Sequence, residues 1–301
     1  MPNAFAAYLA EHHTDLDGYL ASFFGEERTG CPAGDDLDRF LYAPLRAFSE
    51  NGGKRHRPLI CLIACRAVGG DPARARSCAA AIEHFQSAAL IHDDIADNGQ
   101  LRRGKPCLYL TEGVGLAINC GDLDLTLVTE AVLNDPVLDD ATRVRVMREL
   151  TAMTMRTIEG QALDLGWVRD ERFDLGVDDY LRMATLKTAH YSGAVPLACG
   201  AIIGGGSEAQ VEALRSFGLD TGLAFQIQDD MLDVCGDAAE FGKPIGSDKE
   251  EGKVTFMDLL GLEGCGRAVR AHTEAAKAAV ADWDTDGILA ALADSLAERN
   301  K

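Results

Sequence analysis

An all-α, single-domain fold is what this sequence predicts, and three observations predict it. Apolar residues recur at three- and four-residue spacing through long segments, no alternating run of β-branched or aromatic residues is bounded by hairpin turns, and the breaks between segments are short. Aromatic residues make up 6% of the chain, so the residue types that strands prefer are scarce. With 301 residues the chain can bury a sizeable core, and no break is long enough to be a linker between domains. One domain over residues 1–301 is therefore expected.

The segments run in order as follows. "RPLICLIACRAVGG" (57–70) has a proline in its first turn, where its missing N–H costs nothing, and ends on glycines. "SCAAAIEHFQSAALIHDDIAD" (77–97) is apolar around most of its circumference until its last turn, where charge appears. "LDLTLVTEAVL" (123–133) and "TRVRVMRELTAMTMRTIEGQALDL" (142–165) are separated by the Asp- and Pro-bearing break "LNDPVLDD". After the glycine break "IIGGGSE" comes "VEALRSFGLDTGLAFQIQDDMLDV" (211–234), which also turns acidic at its end. The stretch "FGKPIGSDKEEGK" (241–253) breaks the pattern with glycines and lysines.

The formal net charge of −19 argues against a nucleic-acid partner or an anionic membrane surface, since either would need a basic face. No stretch is long and apolar enough to span a bilayer, and the N-terminus lacks a basic-then-apolar leader. Nine cysteines scattered without paired spacing suit a reducing compartment, so a cytoplasmic location is expected. Cys61 and Cys65, one helical turn apart with no partner pair, read as small buried apolar residues rather than zinc ligands.

Against that acidic background, two kinds of cluster stand out. Asp93, Asp94 and Asp97 form a DDxxD pattern at the end of one apolar segment, and Asp229, Asp230 and Asp233 repeat it at the end of another. On a helix, positions i and i+4 share a face, so each triplet is an acidic patch that repels itself. The natural partner is a hard cation bound through oxygen. Mg²⁺ suits such a site, because it takes one or two carboxylates and completes its shell with water and substrate phosphate. The complement lies in two basic islands. Lys54, Arg55 and Arg57 follow the glycine pair of "GGKRHRP", and Arg102 and Arg103 follow the first aspartates in "LRRGKP". Glycines that permit close approach and arginines at a helix start make a candidate diphosphate site. Lys187 and Thr188, and the glycine-flanked Lys243, Asp248 and Lys253, add candidate phosphate contacts.

Together these stretches resemble the trans-isoprenyl diphosphate synthases, or polyprenyl synthetases, most of all the bacterial geranylgeranyl and farnesyl diphosphate synthases. "GGKRHRP", "DDIADNGQLRRGKP", "GQALDL", "LKTA", "FQIQDDMLDVCGD" and "GKPIGSDKEEGKVT" are similar to six motifs of that family, in the family's order and over almost the whole chain. The resemblance implies antiparallel helices around a deep central cavity, the isoprenoid synthase fold, and usually a homodimer. It implies head-to-tail condensation of isopentenyl diphosphate with an allylic diphosphate, assisted by Mg²⁺, with three ions per active site. Carried over, Asp93, Asp94, Asp97, Asp229, Asp230 and Asp233 bind the metal. Arg102, Lys187, Thr188, Gln226 and Lys243 contact the allylic substrate, Lys187 also serving the reaction itself, and Lys253 is a further substrate contact. Lys54, Arg57 and Arg103 hold isopentenyl diphosphate.

Two positions depart from the family pattern. Gln86 stands where a histidine is common, and retains a donor for phosphate; Asp124 stands where an apolar residue is usual. Product length in the family depends on residues just before the first aspartates. Ala88 and Ala89 place no plug there, whereas Phe85, about one turn or 5.4 Å deeper, is a candidate floor for a product of four or five isoprene units. Geranylgeranyl diphosphate is the expected product, with farnesyl or longer chains as alternatives. A class I terpene cyclase needs neither "GGKRHRP" nor a second full DDxxD. A non-catalytic subunit would be expected to have lost one aspartate motif, and a helical scaffold with acidic ends leaves the basic islands unexplained.

Overall fold

The computed structural model describes residues 4–235, 252–284 and 286–297. Thirteen α-helices form among them: α1 (Ala4–Ser22), α2 (Glu26–Thr29), α3 (Ala43–Glu50), α4 (His56–Ala67), α5 (Arg76–Ala96), α6 (Leu108–Glu112), α7 (Val114–Leu133), α8 (Asp140–Arg169), α9 (Val177–Ala184), α10 (Val195–Ile203), α11 (Glu208–Cys235), α12 (Phe256–Val280) and α13 (Ile288–Ala297). All five segments read from the apolar spacing are helical, so the all-α expectation holds. The helices at either end and those around residue 190 add to them. Local chemistry sets several starts: Asp139 accepts from the Thr142 amide at 2.8 Å to cap α8, and Thr255 and Asp258 form a reciprocal capping box on α12.

Helix α5 is the centre of the bundle. Every residue from Ser77 to Ala88 is buried, which fits a helix apolar on nearly all sides and packed by α4 on one flank and α7 on another. Close approach elsewhere relies on small residues. A Cβ added at Gly200 of α10 would lie 2.1 Å from the Cys61 carbonyl oxygen of α4, so only glycine lets these two backbones meet.

Two features were not legible from spacing. Residues Thr185–Ala194 form a π-helix rather than an α-helix, wedged between α8 and α11. A two-stranded ribbon, β1 (Leu101–Arg102) and β2 (Lys105–Pro106), joins α5 to α6; Arg103 and Gly104 turn it with φ of 53° and 76°. Positive φ at both central residues marks a turn that matches strand twist.

Asp124, out of place by family pattern, has a partner. Its Oδ1 lies 2.9 Å from His84 Nδ1, both side chains are buried, and the His84 ring meets Phe23 and Phe24 edge-on at 4.6 and 5.6 Å. Burial pushes the Asp124 carboxyl above its usual range, although the His84 bond pulls the other way. A folded-state pKa above the unfolded one means that stability is lost as pH rises through it. Asp124→Asn, which keeps an oxygen for His84, is expected to melt at least as high as the parent at about pH 8, and with a flatter pH dependence above about pH 4. A lower melting temperature than the parent at alkaline pH would mean that the charged pair is net stabilising.

Candidate active site

Two clefts open side by side. The first, of about 480 Å³, is lined on one side by the last turn of α5 and on the other by α11, with α8 and the π-helix between. Apolar faces drive both helices into the core, and their polar ends emerge at this cleft. Of the predicted residues it gathers Asp93, Asp94, Asp97, Asp229 and Asp230, together with Arg102, Lys187, Thr188, Gln226 and Lys253. Asp233 is buried one turn beyond Asp229 and does not line it.

The aspartates divide by environment. Asp94 and Asp230 are each 2% exposed and are held by the protein. Arg102 donates two bonds to Asp94 Oδ1, the Nε bond at 2.9 Å. Burial opposes the charge on Arg102, but Asp94 outweighs it and lifts the guanidinium above its usual range. Asp230 accepts from Tyr180 Oη at 2.6 Å, the Phe256 amide at 2.9 Å and Gln226 Nε2 at 3.0 Å, while Thr188 Oγ1 donates to Gln226 Oε1 at 2.8 Å. Asp93 and Asp97 are half-buried, and Asp93 accepts from Gln161 Nε2 at 2.8 Å. Lys253 reaches Asp97 at 3.4 Å and Asp164 at 3.6 Å, and Lys187 donates to Asp164. Burial disfavours the Asp164 carboxylate, yet Lys187 and Lys253 hold it below the usual carboxylate range. Lys187 is raised in turn, Asp164 and Asp93 overcoming the cost of its burial.

The second cleft, of about 630 Å³, is cationic. Lys54, Arg57, Gln86 and Arg103 line it, with Leu292 and Leu296 of α13 on the far wall. Burial and the neighbouring Arg55, Arg102 and Arg57 pull Arg103 below its ordinary value despite Glu83 nearby. Such crowding of like charge is the signature of a polyanion site. The Gln86 carboxamide is buried against it, with its oxygen unpartnered. Arg57 and Phe225 line both clefts; the Arg57 guanidinium stacks 4.6 Å from the Tyr191 ring centre and donates to Ser192 Oγ at 3.1 Å. The β1–β2 turn explains how two adjacent arginines serve two clefts, since Arg102 turns to Asp94 while Arg103 donates to the Gly52 carbonyl.

Phe85, Ala88 and Ala89 line neither cleft; Phe85 is buried 5.8 Å from the Tyr191 ring, one layer behind the junction. Lys243 and Asp248 lie outside the described residues. Gln161, Asp164 and Tyr180 were not picked out as site residues. Gln161 and Asp164 sit inside "GQALDL", so the motif itself was the signal that pointed to them; Tyr180 had none.

The donor set fits a divalent cation. Half-buried carboxylates face the first cleft from two helices, although no three His, Cys, Asp or Glu side chains among the described residues are grouped so as to hold a metal ion by themselves. An open set of hard oxygens suits an ion that completes its shell with water and phosphate.

A helical bundle with paired aspartate-rich turns facing one another beside a guanidinium cleft defines the isoprenoid synthase class. Residues 38–284 match the polyprenyl synthetase family model. A short chain isoprenyl diphosphate synthase of Methanothermobacter thermautotrophicus is 43% identical over 213 residues, 70% of this chain and 64% of that protein, so the match spans just under two thirds of that relative. The farnesyl diphosphate synthase of Geobacillus stearothermophilus is 38% identical over 261 residues, 83% of this chain and 86% of that one. The crystal structure of a Corynebacterium glutamicum geranylgeranyl pyrophosphate synthase, complexed with isoprenyl diphosphate and magnesium, is similar with a TM-score of 0.85 at 29% identity, over 95% of this chain and 98% of that chain. The chain belongs to the polyprenyl synthetase family.

Proposed function

We propose that this protein condenses isopentenyl diphosphate head to tail with an allylic diphosphate, in a reaction dependent on Mg²⁺. The observation that carries the reading is the pair of clefts of opposite charge with Arg57 and Phe225 as their common wall. The allylic diphosphate occupies the acidic cleft, where Asp93, Asp97 and Asp229 would hold the three Mg²⁺ ions. Asp94, Asp230 and Asp233 support that arrangement from behind. Bound cations supply the charge neutralisation that a departing diphosphate needs. Lys187, Arg102, Thr188, Gln226, Lys243 and Lys253 orient the same diphosphate. Lys54, Arg57, Gln86 and Arg103 hold isopentenyl diphosphate in the second cleft, so that its double bond faces the allylic carbon across the wall. Tyr191 and Phe225 give that junction aromatic faces, which favour a cation and exclude water.

The product is geranylgeranyl diphosphate or, failing that, farnesyl diphosphate, in keeping with the names of the relatives. Purified protein with Mg²⁺, labelled isopentenyl diphosphate and dimethylallyl, geranyl or farnesyl diphosphate is expected to release one elongated product of about four units. No elongation of any starter would overturn the proposal. Phe85, packed behind Tyr191, is the depth-setting residue. Phe85→Ala is expected to shift the released alcohol to longer chains on chromatography, at a cost of about 3 kcal/mol in stability. An unchanged product would assign Phe85 to packing alone.

We further propose a cytoplasmic homodimer in which residues 1–301 act as one domain. All nine cysteines are free thiols, and no described helix is long and apolar enough to cross a membrane. Helices α7 and α8 expose Val114, Ile118, Met155 and Ile158, the last two more than half, and a second copy of the chain would cover them. Ile158→Glu is expected to move the protein from dimer to monomer mass in light scattering; a parent that already runs as a monomer would remove the dimer from the reading.

A further inference from the structure

Helix α1 lies outside residues 38–284, yet it grips the loop that carries "GGKRHRP". His13 Nε2 donates to the Gly53 carbonyl oxygen at 3.0 Å, and His13 Nδ1 lies 2.9 Å from Asp17 Oδ2. Asp17 Oδ1 accepts from Arg55 Nε at 2.8 Å. Arg55 is 5% exposed, and its other two nitrogens also donate to the protein, one to Glu83 of α5 and one to the Ser49 carbonyl at 2.6 Å. All three Arg55 nitrogens are thus committed to the protein, although the residue lines the cationic cleft.

Its backbone carries a second sign. Arg55 has a φ of 50°, a left-handed conformation that a side chain with a Cβ adopts at a cost. Such residues persist only where their surroundings over-determine them, and they cluster at functional sites. Of the four non-glycine residues with positive φ among those described, Arg55 and Arg103 both line the cationic cleft. The loop is strained where it meets the proposed diphosphate, and the bonds that hold the strain come from α1, α3 and α5.

We propose that His13, Asp17 and Arg55 are positioning residues for isopentenyl diphosphate: they fix the backbone of Gly53 and Lys54 so that Lys54, Arg57 and Arg103 converge on one diphosphate. The inference rests on the assignment of the second cleft to that substrate. Because none of the three touches the allylic cleft, their loss weakens the use of one substrate and spares the other.

Steady-state kinetics on the full chain, varying each diphosphate at saturating levels of the other, tests this alongside thermal melting. Asp17→Ala is expected to raise the KM for isopentenyl diphosphate about tenfold, the usual weight of one charged hydrogen bond, and to change the allylic KM by less than about twofold. Asp17→Asn, which keeps an acceptor for Arg55, restores most of the loss. His13→Ala, which removes the bond to the Gly53 carbonyl, shifts the same KM by about threefold, the weight of a single neutral bond. Equal rises in both KM values, or a lower melting temperature with an unchanged KM for isopentenyl diphosphate, would reduce these residues to scaffold. A parent protein that elongates no starter would instead overturn the functional reading, and the inference with it.

Discussion

Asp93→Ala is expected to lower turnover by roughly a thousandfold, while its melting temperature stays within a degree or two of the parent's. Metal-assisted stabilisation of a leaving group amounts to several kcal/mol, which is the origin of that factor. The cost to the fold is small by comparison, because Asp93 accepts one bond from Gln161 on a half-buried side chain that water can replace. Asp230→Ala is expected to do the reverse in its balance of effects. It removes the acceptor that the Tyr180 hydroxyl and the Phe256 amide share in a buried site and should cost about 3 kcal/mol of stability, with activity falling as a consequence. Two aspartates from matching motifs would then fail for different reasons. Measuring kcat and melting temperature on both variants separates them; an Asp93→Ala protein with full activity would remove Asp93 from the metal site.

Gly160→Ala is expected to cost about 2 kcal/mol and to impair use of the allylic substrate more than of isopentenyl diphosphate. An added Cβ would lie 2.2 Å from the Lys187 amide nitrogen and 2.6 Å from its Cα, so α8 would push the π-helix that carries Lys187 and Thr188 away from the first cleft. Gly166→Ala, in the same helix, is the matched control. Nothing lies within 4 Å of its added Cβ, and the change should be neutral or stabilising by about 0.5 kcal/mol. Thermal melts and the ratio of the two KM values report both effects. Parallel behaviour of the two variants would show that the close approach at Gly160 relaxes without moving Lys187.

What the sequence revealed and what it hid follow from the range of the interactions. The five apolar segments announced helices because burial repeats with the helical period, and the aspartate and arginine clusters announced a site because like charge is costly without a partner. Which aspartates face the cleft was hidden. Asp93 and Asp94 are neighbours in every sequence pattern, and only the fold shows that Arg102 claims one and leaves the other half-buried beside Gln161. Asp124 looked anomalous for the same reason: its partner, His84, is 40 residues away. The role of α1 was invisible too, because His13 and Asp17 belong to no motif and gain meaning only from their distance to Gly53 and Arg55. The π-helix hides best of all, since its apolar spacing differs little from that of an α-helix.

That π-helix restricts how the gene can change. It accommodates more residues than an α-helix would over the same path, so removing any one codon between those for Thr185 and Ala194 would let the segment settle into the commoner form. The local backbone would be better bonded, and with its surplus residue gone the helix that follows would keep nearly its present facing, so that Gly200 would still meet the Cys61 carbonyl, where no Cβ fits. What would move are Lys187 and Thr188, which line the first cleft from this stretch. The loss of one codon here is therefore open to the fold and closed to the site.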